Sequence, residues 1–178
     1  MKLPRLLAAT AFAGVLVLGQ LVGVSPANAY VDTPACNYDH INFNACLRFY
    51  FGSDPNELIA TAGLDAYMSP GYAQDIVRSG ASVRAQLWGD DGGNGRDQYL
   101  GDLTVSPGWP AVIPNGLGME LSATTWRSDL NEDVGEDEIY ALVTYSDSHN
   151  GRNITYRTGT VRGYFDPVGG GPPQCLLC

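Results

Sequence analysis

From Cys46 onward the chain alternates apolar and polar residues with a period of two. Leu47, Phe49 and Phe51 share one side of "CLRFYF", with Arg48 and Tyr50 on the other. Leu58 to Met68 alternates in the same way through "LIATAGLDAYM". So do Val83–Leu87, Tyr99–Val105, Leu117–Ala123 and Ile139–Tyr145, and "NITYRTGTVRGYF" is rich in β-branched and aromatic residues. Side chains on a strand point to opposite faces in turn, so these seven runs predict half-buried antiparallel strands. Clusters of Gly, Pro, Asp and Asn divide them, as turns require. Only "YAQDIVRSG" (Tyr72–Gly80) reads as a short helix. The fold class that follows is all-β, an antiparallel β-sandwich of about seven or eight strands, with a small β-barrel as the alternative. Asn150-Gly151 between the last two runs predicts a type I′ hairpin turn, in which both central residues take positive φ.

The two ends of the chain differ from this middle. Lys2 and Arg5 precede the apolar run "LLAATAFAGVLVLG" (Leu6–Gly19), and "SPANA" supplies small residues at Ala27 and Ala29. That order predicts a secretory signal peptide over residues 1–29. Gln20 limits the apolar run to 14 residues, short of the roughly 20 a membrane-spanning helix needs. Tyr30 at the expected cleavage point, in place of Cys, argues against a lipid anchor. Residues 30–46 read as a polar loop carrying two cysteines, 47–166 as the β-sandwich, and 167–178 as a Gly/Pro-rich tail ending in "CLLC".

Charge narrows the partners. The chain carries a formal charge of −9, and removing residues 1–29 takes Lys2 and Arg5 with it, leaving −11 on 149 residues. Such a chain is repelled by nucleic-acid phosphates and by anionic membranes. Its expected partner is an extracellular protein or glycan. Cys36, Cys46, Cys175 and Cys178 make an even count, which in an exported chain reads as two disulfides. Spacing leaves all three pairings open, and the C-x-x-C of Cys175 and Cys178 also has redox spacing.

Chemistry concentrates in two acidic loops. "WGDDGGNGRDQYLGD" (Trp88–Asp102) crowds Asp90, Asp91 and Asp97 with Asn94 among glycines. "DLNEDVGED" sets Asp129, Asn131 and Asp133 at alternate positions, with Asp137 four residues on. Calcium takes six to eight oxygens, and short Asp and Asn side chains on a Gly-softened loop supply them. Both loops are therefore candidate calcium sites. An EF-hand is excluded, because Val134 and Tyr140 stand where Gly and Glu are required. Trp88, Asp91, Asp97 and Tyr99–Gly101 follow the order of the third calcium loop of C2 domains, and the stretch resembles that loop. Gly89 and Gln98 depart from it. The resemblance implies a calcium-binding β-sandwich, and lipid docking is not carried over to so acidic a chain.

Catalytic signatures are sparse. His40 and His149 are the two histidines, and no G-x-S-x-G motif is present. Carboxylates such as Glu120 or Asp137 allow a hydrolase, and Trp88, Trp109 and Trp126 allow stacking on sugars. The sequence thus predicts a secreted, non-enzymatic binding or structural module with calcium at its acidic loops. A metal-free interaction protein or hydrolase inhibitor is the first alternative, and a carbohydrate-active hydrolase or sugar-binding module the second.

Overall fold

The computed structural model describes residues 33–92, 95–131 and 135–168. The expected signal peptide (1–29), Asn94, Asp133, Cys175 and Cys178 lie outside the described residues. Among the described residues, ten strands and two helices run in the order β1 (Ala35–Asp39), β2 (Phe43–Phe51), β3 (Glu57–Tyr67), α1 (Pro70–Arg78), β4 (Val83–Gly89) and β5 (Gln98–Val105). There follow β6 (Ala111–Ile113), β7 (Gly116–Trp126), α2 (Arg127–Leu130), β8 (Asp137–Asp147), β9 (Arg152–Arg157) and β10 (Val161–Gly163).

All pairings are antiparallel. The first half of the sheet is β1-β2-β3-β7, and the second is β5-β4-β8 with β9 and β10 sharing the outer edge of β8. β5 joins the halves. Its residues through Leu103 pair with β4, and Thr104 and Val105 pair with β7. Bent through this shared strand, the sheet curls until its outer strands approach. Phe43 of β2 meets Tyr156 of β9 with ring centroids 4.4 Å apart and planes tilted by 39°. A Cβ on Gly159 would lie 2.7 Å from the backbone of Ala35 and Cys36. The all-β expectation holds, in a form between sandwich and open barrel.

The core is the set of inward alternate positions. Leu47 and Phe49, Leu58 and Leu64, Leu117 and Leu121, Leu87, Leu103, Ile139 and Val143 are all buried. Facing alternate residues interdigitate in this way whenever two sheet halves close on one another. Helix α1 begins where the short helix was expected but two residues earlier. Pro70 starts it, the Ser69 side chain caps the Tyr72 N–H, and Ala73 and Ile76 are buried one helical turn apart.

Three expectations need correction. Residues 30–46 are not simply a loop: β1 and the start of β2 form a hairpin inside the sheet, with Cys36 directly opposite Cys46 and joined to it by a disulfide. Polar Asn and Asp positions hid that strand, because β1 lies at an edge and buries little. The last run is two strands, β9 and β10, on different stretches of β8. The β8–β9 turn is not type I′, since Asn150 keeps a negative φ and only Gly151 (φ 66°) is left-handed. The loop is instead closed by the Gly151 N–H on the Asp147 carbonyl at 2.8 Å.

Candidate functional site on the outer face of the first sheet

The first acidic loop begins beside the strand that follows the second. Asp90 follows β4, and its N–H donates to the Glu138 carbonyl near the start of β8 at 2.7 Å. The Asp90 carboxylate accepts from Arg157 Nη2, and Arg162 pairs with Glu138 at 2.7 Å. The Arg157 guanidinium also lies 3.8 Å over the Tyr140 ring. Tyr140 donates its hydroxyl to Asp97 at 2.5 Å. Burial, followed by that hydrogen bond, pushes the Tyr140 hydroxyl up to about 12. Arg157 of β9 thus sets a positive charge against Asp90, and Arg162 of β10 does the same for Glu138. A guanidinium beside a carboxylate favours its charged form and offsets repulsion from neighbouring acids.

The other expected ligands are placed as follows. Asp91 lies against Gly95, where an added Cβ would fall 2.4 Å from the Asp91 Cβ. Asp129 is exposed and accepts from Ser128 Oγ at 3.4 Å. Asn131 donates to Asp166 at 3.2 Å. Asp137 is buried at the start of β8, opposite Gly163. Among the described residues, no three His, Cys, Asp or Glu side chains gather as a metal-holding group.

The same end holds a buried cation. Arg127 is 1% exposed and donates through Nε to the Pro55 carbonyl at 3.1 Å and through Nη1 to the Tyr164 carbonyl at 3.3 Å. It ties the β2–β3 turn to the segment after β10. Asn56 reinforces this tie by bonding both the N–H and the carbonyl of Val168. His149 is likewise structural, stacking on Tyr72 of α1 with centroids 4.3 Å apart and approaching Asp75 at 3.6 Å.

A different arrangement occupies the outer face of β2, β3 and β7. The register sets Cys46, Gly63 and Glu120 in one row and Asn44, Asp65 and Gly118 in the next. Two of these outward positions are glycines, so the face sinks between them. The Trp109 ring, carried by the β5–β6 connection, fills one side: a Cβ on Gly118 would lie 2.6 Å from its Cζ3. On the other side, a Cβ on Gly63 would meet no atom within 4 Å. The result is a groove of about 170 Å³ walled by Trp109, floored by Gly63, and lined by Asn44, Cys46, Asp65 and Glu120. Burial alone raises the Asp65 carboxyl above its ordinary value of 3.8. Neither Asp65 nor Glu120 makes a side-chain hydrogen bond or ion pair with another described residue.

Sequence reasoning named Trp109 and Glu120 but did not join them. The readable signal was Gly63 and Gly118 at outward positions of two long strands, where a glycine marks a close approach or an opening. The chain matches no protein-family model, and no curated protein or solved structure was found to be similar to it.

Proposed function

We propose that this chain is an exported binding module that recognises an extracellular partner through the outer face of the first half of its sheet. The observation that carries this reading is the Trp109 groove, a recess offering an indole, an amide and two carboxylates without partners among the described residues. Ligand sites combine an apolar wall with a few convergent polar groups in this manner. The signal-like N-terminus and the Cys36–Cys46 disulfide support an oxidising, extracellular setting. Calcium at the first loop would have to compete with Arg157 for Asp90, so the sheet face is the better-supported site. The test is affinity capture from the medium of the producing culture with the natural chain and with Gly63→Val, which fills the groove floor. A partner retained by the natural chain and lost by the variant supports the reading. Equal retention by both overturns it.

A further inference from the structure

We infer that the Trp109 groove takes one cationic side chain, lysine or arginine, presented by a partner protein. The inference rests on the binding-module reading and names what the groove holds. Size is the first argument. Pockets for free small ligands typically occupy roughly 300–1,000 Å³, whereas this one offers about 170 Å³, the scale of a single side chain. Charge is the second. Asp65 and Glu120 sit on adjacent strands at diagonal positions, within reach of one shared ligand.

Two acids at the loop end of the second half of the sheet are matched by arginines. Asp90 has Arg157 and Glu138 has Arg162. Arg48, two residues beyond Cys46 on β2, is turned toward the Tyr50 ring, 4.4 Å from its centroid. The groove's two acids are left facing solvent on a chain of net charge −9, which draws cations and repels anions. The third argument is the indole. A cation over an indole face gains from the ring quadrupole, most strongly when both are partly desolvated. Asp65 is half-buried with nothing to offset its desolvation, and an arriving ammonium or guanidinium would supply the offset.

The experiment uses the intact protein with ¹⁵N-labelled tryptophan, titrated with N-acetyl-lysine amide, N-acetyl-arginine amide and, as neutral control, N-acetyl-norleucine amide. Trp88 and Trp126 serve as internal references, and Trp109→Phe assigns the signal. The expected result is a saturable shift of the Trp109 indole resonance with both cationic probes and none with norleucine. Asp65→Asn and Glu120→Gln should each weaken binding roughly tenfold, the loss of one charge-assisted contact. A shift of equal size with norleucine, or none with either cation, overturns the inference. A titration with cellohexaose separates the two failures. Trp109 answering to the neutral sugar alone would leave a binding module with a different ligand. Silence with every probe, together with equal partner capture by Gly63→Val, would remove both readings.

Discussion

Replacing Gly63 with valine should make the protein more stable while closing its recognition site. Gly63 lies in the interior of β3 between Cys46 and Glu120, and its side-chain position opens into empty space. Its φ is outside the left-handed region, so a β-branched residue enters without backbone strain. A glycine within an element is worth roughly 0.5–1 kcal/mol less than alanine, and valine adds further preference for a pleated surface. The expected gain is therefore about 0.5–1 kcal/mol, or about 1–4 °C in unfolding midpoint for a domain of this size. The core should not notice, because Ala62 and Leu64 face the opposite side. Urea and thermal unfolding measure the gain, and the Trp109 titration measures the loss of binding. A variant destabilised by more than about 1 kcal/mol would show that the strand needs its glycine for folding. A variant that still binds the cationic probes at full strength would show that the groove is not where they bind.

Three further outcomes follow from the same geometry. Burial disfavours the charged form of Asp65, so Asp65→Asn should raise stability at neutral pH. That gain should shrink as pH falls through the raised pKa and be absent below 3.8, as urea midpoints at pH 7 and pH 3 will show. Asp147 behaves oppositely: burial pushes its carboxyl up, but hydrogen bonds from Tyr72, the His149 N–H and Asn150 outweigh this and hold it below 3.8. Its stabilisation should be fully present above 3.8 and lost as pH falls through the lowered value. Asp147→Ala should cost roughly 1–3 kcal/mol at pH 7, and a cost that does not diminish in acid would refute the assignment. Arg157→Ala should cost about 1 kcal/mol through the lost Asp90 pair and Tyr140 contact. It should also make thermal unfolding more responsive to about 10 mM CaCl₂ over EDTA. Equal calcium response in variant and natural chain would show that Arg157 does not compensate the first loop's charge.

The alternation of apolar and polar residues was enough to determine an all-β chain, because a strand with one buried face must repeat every two residues. Leu47 and Phe49, or Ile139 and Val143, announce their strands without any knowledge of what they pack against. The Ser69-Pro70 start of α1 is local in the same sense, a cap and a fixed φ read from neighbours in the chain. β1 was illegible because its partner, not its composition, makes it a strand: Cys36 faces Cys46 only once the hairpin has formed.

Sites divide along the same line. The sequence showed that carboxylates crowd between Trp88 and Asp102, since that is a property of neighbours. It could not show that Arg157, 67 residues on, would bring its guanidinium to Asp90, because that contact exists only after β9 pairs with β8 and β8 with β4. The groove is more remote still. Asn44, Gly63, Trp109 and Glu120 come from four separate segments; the register of β2, β3 and β7 aligns three of them, and the β5–β6 connection brings in Trp109. Local chemistry chose the strands. The long-range pairing of those strands decided which charges are balanced and which are left facing solvent.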